Sequence, residues 1–206
     1  MAKQALSVSQ VLNQKLETFE LSEEWQAFFG KPEQCGTWII WGKSGNGKSS
    51  FTMMLAKELC KYGIVLFNSL EEGTGLTMAN TLKRFGMMEV NGSLRIISES
   101  MEELGERLEK KRSPRIVIID SFQYTRMSYI DYIQFKERFP KHLLIFISHA
   151  SGNNPAGNEA VSVMYDASLK IWVEGYRAFS KGRFIGERGE FDIWKEKAEI
   201  YWGKEQ

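Results

Sequence analysis

Thr37-Trp38-Ile39-Ile40-Trp41, followed by Gly42-Lys43-Ser44-Gly45-Asn46-Gly47-Lys48-Ser49 and then Ser50 with a helix-forming run to Lys61, is the stretch that decides the fold. The apolar pentapeptide reads as a buried strand. The octapeptide after it matches GxxxxGK[ST], in the strand-before, helix-after setting that such a loop needs. Its glycines let backbone N–H groups turn inward around phosphate oxygens, and the helix N-terminus adds positive potential. Lys48 neutralises the terminal phosphates and the Ser49 hydroxyl ligates Mg²⁺. Gly42, Lys43, Ser44, Gly45, Asn46, Gly47, Lys48, Ser49 and Ser50 are therefore the candidate nucleotide-binding residues.

Outward from this loop, short apolar runs alternate with helix-like segments, the pattern of a parallel sheet flanked by helices. The expected strands are Thr37–Trp41, Ile64–Ser69, Leu94–Ser98, Arg115–Asp120 and His142–His149. Several are unbroken Ile/Val/Leu/Phe runs, as strands covered on both faces require. The expected crossover helices are Lys48–Lys61, Gly75–Phe85 and Met101–Arg112. Beyond Ala150, a Gly/Asn/Pro-rich stretch precedes Leu169–Val173, Tyr176–Ser180 and Glu190–Trp194, which read as an antiparallel extension of the sheet. Before residue 37, Val8–Phe19 and Ser22–Phe29 read as two helices, the second capped by Ser22 with Glu23 and Glu24 in its first turn. The expected organisation is an N-terminal helical extension over residues 1–36 and one α/β domain over residues 37–206. The extension either covers the sheet or reaches onto a neighbouring subunit.

Composition narrows the class further. The 206 residues carry 27 Lys+Arg against 26 Asp+Glu, a net charge of +1, so any nucleic-acid site must be a local patch. With 43% hydrophobic residues the chain has enough apolar material for a core. Runs such as Leu143–Ile147 are far short of the ~18 residues that span a bilayer, and the start MAKQALSVSQ has no apolar signal core. The expectation is a soluble, cytoplasmic protein without a membrane partner. The two cysteines, Cys35 and Cys60, make neither a CxxC pair nor a disulfide framework, which disfavours structural zinc.

Two further elements belong to the phosphate loop's chemistry. The run RIVIID ends on Asp120, as expected of a carboxylate at a strand tip that holds the Mg²⁺ shell. The run IVLFNS ends in Ser69-Leu70-Glu71-Glu72, bringing two carboxylates to the same sheet edge, where one orients the attacking water. An acidic helix N-terminus is the plainer reading of both, and applies more readily to Glu72 than to Glu71.

This arrangement resembles the RecA-like ATPases, and Ser-Leu-Glu resembles the version in DnaB-type helicases. The C-terminal runs FISHASGNNPAG, YDASLKIWVEG and YRAFSKGRFIGERGEFDIW are similar to those of bacterial RadA (Sms) ATPases. The family's Lys-Asn-Arg-Phe-Gly motif reads here Ser180-Lys181-Gly182-Arg183-Phe184-Ile185-Gly186, so only Lys-x-Arg-Phe carries over. The similarity spans roughly residues 36–196, without RadA's zinc-binding N-terminus or Lon-like C-terminal domain: a minimal core of the kind a phage or mobile element carries. The resemblance implies a RecA-like fold, ATP and Mg²⁺ as cofactors, and a homo-oligomeric ring or filament, hexameric by analogy. It casts Glu71 as the base, His149 as the polar sensor, and Lys181 and Arg183 as fingers that reach a neighbour's nucleotide. Read without it, Lys181 and Arg183 belong to a solvated basic hairpin, and His149 is a structural hydrogen-bonder.

The resemblance also implies single-stranded DNA as partner, in replication or recombination, through loops Ser121–Tyr129 and Ser151–Glu159. The first offers Phe122, Tyr124, Arg126 and Tyr129 for stacking and phosphate contacts. The second has no basic residue, which favours the competing expectation of a nucleotide-dependent assembly module with a protein partner. The six tryptophans, Trp172 and Trp194 among them, read as core. Length alone also admits a small-molecule kinase, but no Arg-rich lid or acceptor pocket is legible.

Overall fold

The apolar runs become the strands of one sheet. In the computed structural model, which describes residues 5–203, the elements follow in order as α1 (Val8–Leu12), α2 (Glu23–Phe29), β1 (Gly36–Gly42), α3 (Lys48–Leu59), β2 (Val65–Ser69), α4 (Leu76–Arg84) and β3 (Leu94–Ile97). Then come α5 (Met101–Glu109), β4 (Ile116–Asp120), α6 (Phe122–Thr125), α7 (Tyr129–Arg138), β5 (Leu143–Ser151), β6 (Asn154–Pro155), α8 (Asn158–Asp166), β7 (Leu169–Glu174), β8 (Arg177–Gly182), β9 (Glu190–Asp192) and α9 (Lys195–Trp202). The sheet order is β3-β2-β4-β5-β1-β7-β8-β9, with β6 paired to the end of β5.

Side chains alternate across the sheet with period two and divide the core into two layers. Trp38, Ile40, Phe67, Ile118 and Ile145 point into one with α2 and α3, and Ile39, Trp41, Leu66, Val117 and Phe146 into the other with α5, α7 and α8. Fully burying each such side chain contributes about 1.5–3 kcal/mol, so the sheet centre is fixed from both faces. The first layer extends through Phe19, Trp25, Phe28 and Phe29, so residues 19–29 cover the sheet.

Several sequence expectations need correction. The helix expected over Val8–Phe19 stops at Leu12, because Phe19 is drawn into the core against Trp38 and Tyr62. The chain there is extended, with Phe19 N–H donating to the Pro32 carbonyl and Gln34 N–H to that of Glu17. Ser22 occupies the N-cap of α2, but its hydroxyl makes no cap bond; its backbone N–H donates instead to Glu58, at 2.9 Å. Strand β7, expected as antiparallel, runs parallel to β1. The unforeseen helix α8 provides its crossover, and the antiparallel extension begins only at β8. Helices α7 and α9 were likewise not legible.

Candidate nucleotide-binding site

The phosphate loop leaves β1 at Gly42, which pairs with His149 of β5 on one side and Val173 of β7 on the other. A Cβ on Gly42 would lie 2.4 Å from the Val173 carbonyl oxygen, so only glycine admits the neighbouring strand here. The loop enters α3 through Gly47, whose φ of 98° lies in the left-handed region. Asn46 fastens the loop to the β7–β8 turn: its side-chain oxygen accepts from Gly175 N–H at 2.8 Å and its carbonyl from Tyr176 N–H at 3.0 Å. Lys43 Nζ lies 3.7 Å from Glu174 Oε1, which also accepts from the Tyr201 hydroxyl at 2.7 Å.

The carboxylates converge on the same edge. Ser69 pairs with Asp120 across β2 and β4, and the N–H groups of Leu70 and Glu71 both donate to the Asp120 carbonyl, at 2.6 and 3.1 Å. Burial pushes the Asp120 carboxyl up to about 6, opposed by the Lys48 ammonium and reinforced by Glu71 and Glu72. Its Oδ1 is buried without a hydrogen-bond partner among the described residues. An orphaned carboxylate oxygen with Glu71 and Glu72 acting on it fits a hard cation such as Mg²⁺, with the Ser49 hydroxyl in the same cleft.

Glu71 Oε2 lies 3.2 Å from His149 Nε2, and Ser121 Oγ is 3.4 Å from the same nitrogen. Gln123, which sequence reasoning missed, holds this end of β5: it accepts from His149 N–H at 3.2 Å and donates to Ser148 Oγ and the Ala156 carbonyl, both at 2.8 Å. The Ala156 N–H also donates to the His149 carbonyl at 2.8 Å, so His149 is bonded directly to the segment that follows β5.

Lys43, Ser44, Gly45, Gly47, Lys48, Ser49, Ser50, Glu71, Glu72, Asp120 and His149 all line one cleft of about 730 Å³. Lys181 and Arg183 do not. Lys181 pairs with Lys170 of β7 and Gly182 with Leu169, which lies opposite Trp38 at the far end of β1 from the phosphate loop. That separation is about 13 Å along the strands. Both side chains are exposed, and Lys181 Nζ stands 4.9 Å over the Trp172 ring. They have no part in their own chain's cleft. A second cleft of about 770 Å³, bordered by Arg112, Arg115 and Lys141, contains none of the candidate residues.

Sequence reasoning also missed the wall formed by Tyr176, Ile193, Trp194 and Lys197. Trp194, expected in the core, is 50% exposed; the break in the strand pattern at Ile193-Trp194, just before a charged helix start, was the available signal.

The first of the two expected DNA-facing loops contains α6 and the start of α7. Phe122 is buried in the core, Tyr129 stacks on Tyr132 at 5.8 Å, and Tyr124 stays exposed. In the second loop, the Asn153 carbonyl accepts from Trp41 Nε1 at 2.9 Å. Among the described residues there is no group of three or more His, Cys, Asp or Glu arranged to hold a metal, and no helix long and apolar enough to cross a membrane.

No protein-family model matches the chain, and no curated protein matches it. Solved structures do. The flagellar accessory protein FlaH from Methanocaldococcus jannaschii superposes with a TM-score of 0.60 at 16% identity, over 84% of this chain and 88% of that one. The unique ATP synthase subunit NeqB from Nanoarcheaum equitans gives 0.57 at 12% identity, over 78% of this chain and 52% of that one. At these identities the likeness concerns the fold alone, which is RecA-like.

Proposed function

We propose, from a RecA-like fold whose phosphate loop is intact, that the protein is an Mg²⁺-dependent nucleoside-triphosphate hydrolase taking ATP, assembled so that each site is completed by a neighbouring subunit. The observation that carries this is the convergence of Lys48, Ser49, Asp120, Glu71 and His149 on one cleft. Lys48 and the loop N–H groups bind and hold the triphosphate. Ser49 and Asp120 hold Mg²⁺, which when bound neutralises phosphate charge. Glu71 orients the attacking water and takes its proton, while His149 fixes the Glu71 carboxylate. Arg183, with Lys181, stabilises charge on the γ-phosphate of an adjacent subunit, consistent with their distance from the cleft of their own chain.

Two partners fit this enzyme: single-stranded DNA, in replication or recombination, or another protein whose binding the nucleotide controls. The burial of Phe122 and the stacking of one face of Tyr129 on Tyr132 favour the second, because they leave Tyr124 as the one exposed ring of the three. Mg-ATP hydrolysis measured across protein concentration, with and without single-stranded DNA, tests both parts. Turnover per subunit that rises with concentration supports shared sites, and stimulation by DNA selects the nucleic-acid reading. Turnover indifferent to DNA selects the protein partner, and absence of turnover overturns the hydrolase.

A further inference from the structure

Away from the carboxylates, the cleft is bounded by aromatic rings that the phosphate chemistry does not use. Tyr176 adopts φ 62°, a left-handed conformation that a bulky side chain takes only when its surroundings impose it. Three backbone hydrogen bonds impose it: Tyr176 N–H to the Asn46 carbonyl at 3.0 Å, and Ile193 and Trp194 N–H to the Tyr176 carbonyl at 2.9 and 3.3 Å. The strained residue thereby locks its ring against the phosphate loop, in contact with the space a Gly47 side chain would fill, 3.4 Å away. The Trp194 ring meets it edge-to-face, centroids 6.2 Å apart at 73°. Lys197 Nζ sits in the corner between them, 4.8 Å from the Tyr176 centroid and 3.9 Å from that of Trp194.

Trp194, 50% exposed on the wall of the cleft and with Lys197 against one face of its ring, presents an aromatic surface to the cleft. We propose that Trp194, backed edge-on by Tyr176, is a stacking shelf for the nucleobase, and that this shelf accepts adenine and guanine alike. The proposal rests on the nucleotide reading of the phosphate loop and deepens it. Stacking is available to every base through its π-face, whereas discrimination needs side chains matched to the donors and acceptors of one base edge. Among the described residues, no Asn or Gln lines the cleft. Of its carboxylates, Glu71 and Glu72 interact with Asp120, as Lys48 does, at the phosphate end. Of the remaining cations, Lys43 lies 3.7 Å from Glu174 Oε1, Lys197 over the shelf rings, and Arg84 over Phe85 at 4.9 Å.

The test is calorimetric binding of Mg-ATP, Mg-GTP and inorganic tripolyphosphate to the wild-type chain, Trp194→Ala and Trp194→Phe. Trp194 caps α9 through its backbone and not its side chain, so both variants retain the helix start. Wild type should bind the two nucleotides within about threefold of each other. Trp194→Ala should weaken both about tenfold and leave tripolyphosphate unchanged, and Trp194→Phe should restore most of the loss. A tenfold or greater preference for one nucleotide overturns base indifference. Unchanged nucleotide affinity in Trp194→Ala, or an equal loss for tripolyphosphate, overturns the shelf while the phosphate loop stands. Failure of all three ligands to bind the wild type removes the loop reading and the shelf together.

Discussion

Glu71 and Lys48 face the same cleft and have separable tasks. Lys48 carries the charge that meets the phosphates, so Lys48→Ala should lose Mg-nucleotide binding and turnover together. Glu71→Gln keeps the size and the contact with His149 but cannot take a proton. Its turnover should fall at least about 100-fold while Mg-ATP affinity stays within about threefold, as read by single-turnover kinetics beside equilibrium binding. Full activity in Glu71→Gln would move the base elsewhere. Of these two residues only Lys48 could be read from local spacing, since the loop's glycines are sequence neighbours. Glu71 drew its role from a resemblance, and its partnership with His149 arises where β2 and β5 end on one edge with β4 between them. Gln123 and Trp194 had no motif to announce them.

Between residue and molecule, the elements that the sequence concealed were helices. Strands β1, β2, β4 and β5 were legible because burial on both faces demands unbroken apolar runs. Helix α8 starts at Asn158, inside the Gly/Asn/Pro-rich stretch, so its turn-like beginning masked it, and with it the parallel direction of β7. The packing of α8 also predicts a pH dependence. At its C-terminal end, Asp166 accepts from Tyr132 and from Lys136, the latter at 2.6 Å. Burial pushes the Asp166 carboxyl up, but these two hydrogen bonds and the lysine charge outweigh it and leave the carboxyl below its ordinary range. A lowered folded-state value means stability that is complete above the ordinary carboxylate range and lost as pH falls through the lowered value. Lys136→Met should therefore cost about 1 kcal/mol at neutral pH, allowing for solvent screening of a partly exposed lysine. The difference from wild type should shrink in acid, as followed by thermal unfolding across pH.

At the scale of the whole molecule, the position of Arg183 at the end of the sheet opposite the phosphate loop makes a single chain an incomplete enzyme under the proposed mechanism. Arg183→Ala should bind Mg-ATP like wild type and lose turnover about 1,000-fold. Lys48→Ala should fail at binding instead. Mixing the two inactive variants should restore activity, because some interfaces then pair an intact loop with an intact arginine. A mixture as inactive as its components would confine Arg183 to a role within its own chain.

The position of β1 also sets the order in which the protein can be made. Trp38 pairs with Ile145 on one side and with Leu169 on the other, so the central strand leaves the ribosome long before either neighbour exists. Until β5 and β7 are synthesised, its apolar residues have no sheet to join, and the loop after Gly42 has neither His149 nor Val173 beside it. Such distant pairing makes folding slow relative to helical proteins of similar size. Nucleotide binding should consequently appear late. In refolding followed by circular dichroism and by capture of a fluorescent nucleotide, helix signal should return before the ligand is bound, and arrested nascent chains ending before residue 169 should capture none.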